Sequence, residues 1–287
     1  MGKDITEYFN KQAVENNDLE KIEIELLLEG IYRYYGYDFR NYAFPFLKRR
    51  IMYRIGAENL SSISALQEKV FQNSIMMKKL LSDFSISVTE MFRDPEFFLT
   101  LRKKIIPIIR NYPFIRIWHV GCASGEEVYS MAIMLSEEGI LNKTRIYATD
   151  INNIALEKAK LGSFPLEKMQ LYTKNYIKAG GTNEFSEYYA VKNNAAEFRP
   201  FLKENVLFTQ HNLTTDQTFN DFHIIICRNV MIYFNKSLQN DVHQLLYNSL
   251  VLSGFLGLGK REEVRYTDYA GNYEEYDTSE KIYRKIN

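Results

Sequence analysis

The sequence predicts an all-helical N-terminal domain followed by a doubly wound α/β domain that carries a small inserted antiparallel β-subdomain. Three observations lead there. Up to about Phe84 the apolar residues recur at helical spacing, and nothing resembles a strand. From Ile115 the pattern becomes strand, glycine turn, helix, strand, acid, helix. Between about Asn183 and Phe208, short apolar runs separated by polar turn residues break that alternation.

In the first block, Leu19, Ile22, Ile24, Leu26, Leu27, Ile31 and Tyr34 fall near a period of 3.6, and Gly36 interrupts. A second helix is expected from Asn41 to Ile55, a third opened by Ser61, Ser62 and Ser64, and a fourth from Met76 to Phe84. Residues 1–85 are expected as the helical domain, 86–94 as a linker, and 95–287 as the α/β domain. Within the last, Phe97 to Arg110 reads as a helix that Pro113 ends. Ile115 to Val120 reads as a buried strand running into Gly121, and Glu126 to Glu138 as a helix. Arg145 to Thr149 is a second strand ending at Asp150, followed by a helix from Ile154 to Leu161. Later come a strand at His223 to Cys227, a helix at Leu238 to Leu252, a strand at Gly254 to Leu258 and a hairpin ending near Ile282 and Tyr283. The insertion, about 183–208, holds Tyr188 to Val191, Ala196 to Phe198 and Val206 to Phe208 as candidate strands.

Lys plus Arg equals Asp plus Glu, at 36 each, so the net charge gives no sign of nucleic-acid binding, and steering must come from local patches. Two cysteines, Cys122 and Cys227, cannot make a disulfide framework and read as free thiols of a reducing cytosol. The start, MGKDITEYFNKQ, has no apolar core, and no run approaches the roughly 20 apolar residues of a membrane span. The expectation is a soluble, cytoplasmic protein without membrane insertion. His119, His211, His223 and His243 lack metal-ligand spacing, so no metal is expected.

The turn Gly121-Cys122-Ala123-Ser124-Gly125 lies between a strand and a helix, where small residues let a ligand approach the backbone. No Lys follows the second glycine, which excludes Walker A chemistry. Glu126 and Glu127 come next and would repel a pyrophosphate. A cationic ligand fits better, and S-adenosylmethionine carries both a sulfonium and an ammonium. The alternative is that both acids only stabilise the helix N-terminus. Asp150 lies roughly 20–30 residues beyond the glycine turn, where an acid holds a ribose diol in such sheets; its alternative is a helix N-cap.

Four segments then resemble one family in order and spacing. They are Ser87-Val88-Thr89-Glu90-Met91-Phe92-Arg93-Asp94, Gly125-Glu126-Glu127-Val128-Tyr129-Ser130, Tyr147-Ala148-Thr149-Asp150-Ile151 and Cys227-Arg228-Asn229-Val230-Met231-Ile232-Tyr233-Phe234. The chain resembles the CheR-type chemotaxis receptor glutamate O-methyltransferases. The resemblance implies a Rossmann-like S-adenosylmethionine-dependent methyltransferase domain that methylates glutamates of a chemoreceptor-like protein and leaves S-adenosylhomocysteine. It implies cofactor contacts from Ser87, Thr89, Arg93, Glu127, Asp150, Asn212, Leu213, Arg228 and Asn229. Arg93 and Tyr233 would act at the reacting carboxylate and methyl, and Arg50 and Arg54 would meet the acidic substrate. In some members the β-subdomain docks a receptor peptide by strand addition.

The chain departs from the pattern at His119, Cys122 and Val128, and at Gly259-Lys260-Arg261-Glu262-Glu263, where Ser-Glu-Asn is common. Two alternatives stay open: a different methyl acceptor, and an S-adenosylmethionine-binding sensor or scaffold without turnover. A monomer is expected.

Overall fold

A computed structural model describes the backbone of residues 2–85, 89–218 and 220–287, and the side chains of these residues from Asp18 onward. It divides into two units, the chain up to Phe84 with Tyr233–Leu238, and Ser85–Ile232 with Gln239–Asn287. Among the described residues, no helix is long and apolar enough to cross a membrane.

The smaller unit holds α1 (Gly2–Tyr35), α2 (Phe44–Ala57), α3 (Ile63–Gln72) and α4 (Ser74–Phe84). Local chemistry sets their starts. Pro45 occupies the first turn of α2, where its missing N–H costs nothing. Ser62, in extended backbone, accepts the Ala65 N–H at 3.1 Å and caps α3. Asn73 accepts the Ile75 N–H at 2.9 Å, so α4 begins two residues ahead of Met76. On α1 the helical period holds, but its apolar residues divide between two faces. Ile24, Leu27, Leu28 and Ile31 are buried, whereas Leu19, Ile22, Leu26 and Tyr34 are each more than half exposed. Each fully buried Leu or Ile contributes about 1.5–3 kcal/mol.

The larger unit opens with α5 (Pro95–Thr100), a π turn (Leu101–Ile105) and α6 (Ile106–Ile109), where a single helix was expected. Pro107 has no N–H for the regular ladder, and the preceding turn widens. Then come β1 (Ile115–Val120), α7 (Glu126–Glu137), β2 (Thr144–Asp150), α8 (Asn153–Leu161), β3 (Ser163–Pro165), α9 (Met169–Lys178), β4 (Tyr189–Lys192), β5 (Ala195–Phe198) and β6 (Val206–Gln210). The chain ends through β7 (Phe222–Cys227), α10 (Lys236–Ser249), β8 (Leu250–Leu258), β9 (Tyr273–Asp277) and β10 (Ile282–Lys285).

The main sheet has the order β6-β2-β1-β7-β8-β10-β9. Its first five strands are parallel, and β10 runs antiparallel to both β8 and β9. Ile117, Trp118, Ile224, Ile225 and Ile226 are fully or almost fully buried, as strands covered on both faces require. From β1 the chain winds outward to β2 and β6, then returns to β7 on the other side of β1. That reversal puts a topological switch at the carboxyl ends of β1 and β7, where open α/β sheets bind ligands.

The insertion differs from its sequence expectation at both ends. The three-stranded antiparallel sheet has the order β3-β5-β4, so it begins at Ser163, and Val206 to Phe208 lies in the main sheet as part of β6, parallel to β2. A three-residue strand ending in Pro165 has no room to show alternation. The insertion is tied down by Glu137 at the end of α7, which accepts from Tyr176 Oη, from Tyr188 Oη at 2.9 Å and from Arg102 at 2.6 Å. Near the C-terminus the expected helix through Leu252 stops at Ser249, whose hydroxyl bonds back to the Leu245 carbonyl at 2.7 Å, and the strand starts at Leu250.

His243 on α10 is buried, and burial lowers its pKa from the ordinary 6.5 to about 4. Between those values the unfolded chain binds the proton and the folded chain does not. Stability therefore falls as pH drops from about 6.5 to about 4, by on the order of 3 kcal/mol. Denaturant titrations across this range should show the slope in the wild type and its loss in His243→Leu.

Candidate active site

The site is built where the first glycine turn meets the loop after β7. The turn leaves β1 at Gly121, and the Cys122 N–H donates to the Thr149 carbonyl of β2 at 2.9 Å. Ala123 adopts a left-handed φ of 49°, and Gly125, at 90°, N-caps α7. Asp150 stands at the end of β2, only 8% exposed. Its Oδ2 accepts the Ala123 N–H at 2.9 Å and its Oδ1 the Asn152 N–H at 2.8 Å. It does not cap the following helix. Asn152 does that, accepting from Ile154 and Ala155. Burial pushes the Asp150 carboxyl up, against the pull of these backbone bonds.

The expected Asn212 and Leu213 segment joins the same region. The His211 N–H donates to the Asp150 carbonyl at 3.2 Å, and Asn212 folds the loop by accepting the Thr214 N–H at 3.1 Å and hydroxyl at 2.7 Å. Leu213 is half-buried beside it.

Arg228 organises the other side. Its side chain is 2% exposed and lies 4.2 Å over the Phe97 ring. One terminal nitrogen donates to Glu127 Oε2 at 2.7 Å and to the Arg93 carbonyl at 3.3 Å; the other reaches Asp94 Oδ2 at 2.5 Å. The sequence expectation set Arg228 against the cofactor. In the structure its terminal nitrogens pair with protein groups, bracing Glu127 and the Arg93 turn. Glu127 also lies 3.3 Å from His119 Nδ1. Burial raises the Glu127 pKa, but Arg228 and His119 outweigh it and bring it down to about 2, so the carboxylate is ionised at neutral pH. Its neighbour Glu126 is 2% exposed and accepts from Ser124 at 2.7 Å; burial pushes its carboxyl up.

Arg93 sits in a strained turn. Phe92 and Asp94, neither a glycine, take left-handed φ values of 50° and 52° on either side of it. The Phe92 N–H donates to the Ser130 hydroxyl at 2.9 Å, and Arg228 holds the Arg93 carbonyl and Asp94 as above. Such residues cost about 1–3 kcal/mol each and persist where the surroundings over-determine them, typically at functional sites. Thr89 is half-buried four residues earlier. Ser87, and residues 86–88 of the expected linker, lie outside the described residues. Asn229, at a φ of 61°, donates its N–H to Glu262 Oε2 at 2.7 Å.

Tyr233, Arg50 and Arg54 belong to the smaller unit. The Tyr233 carbonyl accepts the Ala43 N–H at 2.8 Å, and its ring centroid lies 4.8 Å from that of Phe46. The Arg50 guanidinium approaches the same Phe46 ring at 5.7 Å, and no acid among the described residues pairs with it. Arg54 departs from the expectation of a substrate-facing pair. It grips Asp83 through two bonds of 2.6 and 2.8 Å and reaches Glu58 at 3.0 Å, so its fork is already filled.

Of the groups that sequence reasoning left out, Asp94, Ser130 and Glu262 act on the site. Asp94 and Ser130 stand inside the quoted motifs, and Glu262 stands in the segment that departs from the family pattern.

Comparison with known proteins agrees with this layout. Residues 87–279 match the CheR methyltransferase SAM-binding domain, and residues 22–85 match the CheR methyltransferase all-alpha domain. The Pseudomonas putida protein named Cher3 is 45% identical over 92% of this chain and 97% of its own length. Proteins named chemotaxis protein methyltransferase are similar at lower identity. That of Borreliella burgdorferi is 29% identical over 87% of this chain and 91% of its own. That of Listeria monocytogenes is 26% identical over 86% and 92%. With a helical unit and an α/β unit that both match, and with S-adenosylmethionine as the cofactor of the second, the chain belongs to the CheR methyltransferase family.

Proposed function

We propose that this methyltransferase esterifies glutamate side chains of a chemoreceptor-like protein, producing γ-methyl esters and S-adenosylhomocysteine. The observation that carries the reading is the strained turn that presents Arg93. Backbone strain on both sides, braced by Ser130 and Arg228, fixes the stem of a planar fork suited to a carboxylate. Relatives named for chemotaxis support the acceptor class.

The donor set suits S-adenosylmethionine. Each Asp150 oxygen takes one backbone N–H and keeps lone-pair capacity for a ribose hydroxyl. Glu127 remains ionised, and the glycine turn is followed by acids, which suits a cationic ligand. When bound, that cofactor supplies an electrophilic methyl on a positively charged sulfur. The chain's own work is then orientation. A glutamate is ionised at neutral pH, so no side chain has to remove a proton. Arg93 aligns the carboxylate, Thr89, Asn212, Leu213 and Asn229 line the donor side, and the family resemblance assigns Tyr233 to the transferred methyl. Arg50, without an acidic partner among the described residues, recruits the acidic acceptor.

The test is transfer of labelled methyl groups to glutamate-bearing protein, followed by mild base. Release of volatile methanol is expected; base-stable label would defeat the carboxylate reading, and binding without turnover would favour a sensor. The same assay separates the two arginines. Arg50→Glu should raise KM for the acceptor about tenfold, through repulsion in place of attraction. Arg54→Met should leave that KM unchanged and lower stability by about 1–2 kcal/mol, since it breaks a half-buried ion-pair network.

A further inference from the structure

One buried carboxylate near the site has no part in the chemistry above. Glu262, 4% exposed, follows β8 and turns back over the loop after β7. Its Oε1 accepts the N–H groups of Val230 at 2.8 Å and Met231 at 2.7 Å. Its Oε2 accepts those of Asn229 at 2.7 Å and Gly259 at 2.8 Å. Three consecutive N–H groups around a left-handed residue form an anion-binding concavity, and here the anion is part of the chain. The fit leaves no slack. A Cβ at Gly259 would meet Glu262 Oε2 at 2.6 Å and the Asn229 nitrogen at 2.8 Å. The loop so gathered packs on the glycine turn, since a Cβ at Gly121 would lie 2.6 Å from Val230 Cγ2.

We infer that Glu262 is a positioning residue for the methyl-donor site: by holding the 229–231 loop from behind, it sets Val230 against Gly121 and fixes the glycine turn in its ligand-binding form. The inference rests on reading the Gly121–Gly125 turn and Asn229 as part of the S-adenosylmethionine site. All four N–H groups need an acceptor and the two carboxylate oxygens supply it, so an amide in its place is a poor substitute. A glutamine keeps the shape, but its NH2 faces N–H donors where an acceptor is needed. An alanine empties the concavity and leaves room for a small carboxylate.

The experiment is calorimetric titration of wild type, Glu262→Gln and Glu262→Ala with S-adenosylhomocysteine, in acetate and in chloride at equal ionic strength, with thermal melts alongside. We expect Glu262→Gln to bind about tenfold more weakly than wild type and Glu262→Ala more weakly still. Acetate should restore the alanine variant and leave the wild type unaffected. A merely structural acid predicts lower melting temperatures with unchanged affinity, or an affinity loss in folded protein that acetate does not relieve; either result overturns the inference. Should the alanine variant fail to fold, the glutamine variant decides: affinity within about twofold of wild type sinks the proposal. If the wild type itself does not bind, the donor-site reading falls, an outcome distinct from variants that bind as well as wild type.

Discussion

Arg93→Ala should lower kcat by about a hundredfold or more, the usual cost of removing a group that holds developing or reacting charge in an active site. The fold should survive the change. The strained turn is braced through the Phe92 N–H, the Arg93 carbonyl and the Asp94 carboxylate, and none of these bonds uses the Arg93 side chain. Donor affinity should fall by a smaller factor than kcat, because the role proposed for the fork is to align the acceptor carboxylate. Arg93→Lys should recover little, as a lysine keeps the charge and loses the paired donors in a fixed plane. Steady-state kinetics with a thermal melt of each variant make the check. A fully active Arg93→Ala enzyme would remove the role, and an inactive protein that no longer melts cooperatively would show that the turn needs the side chain itself.

Much of this site was legible in the sequence because its elements are short and their punctuation is local. The run Ile115 to Val120, the glycines and Asp150 at a strand end each carry a signature within a few residues. What stayed hidden depends on pairing at a distance. Val206 to Phe208 has the same composition whether it joins an insertion or the edge of the parallel sheet, and only its register with β2 decides. Arg54 and Arg50 stand one helical turn apart and read alike, yet Asp83, 29 residues on, claims one and leaves the other. The motif around Arg228 marks the switch point and so a ligand contact, but nothing in it announces the ion pairs of the guanidinium. Its partners Glu127 and Asp94 lie more than a hundred residues away, and no local pattern records a buried ion pair of that kind. Glu262 is the same case with backbone partners: a carboxylate in a polar turn reads as solvated until four N–H groups converge on it.

With the ribose diol on Asp150 as proposed, Asp150→Ala should weaken S-adenosylhomocysteine by about a hundredfold or more, since two hydrogen bonds to an ionised acceptor contribute roughly 1.5–3 kcal/mol each. The structure adds a second consequence. Asp150 also receives the Ala123 and Asn152 N–H groups, so the alanine variant leaves two buried donors unpaired, at about 1–3 kcal/mol each. Loss of affinity in that variant therefore mixes a missing contact with a loosened glycine turn. Asp150→Asn separates the two. It keeps one acceptor oxygen for a backbone N–H and preserves the volume, so its stability should stay closer to wild type while the diol loses its charged partner. Calorimetric titration of the three proteins, with melting temperatures taken in parallel, reads both effects. Affinity falling in the asparagine variant with little change in stability would place the ribose on Asp150. Affinity that follows stability across both variants would make Asp150 a brace for the turn alone, and the ribose would then have to be held elsewhere along the carboxyl ends of β1 and β2.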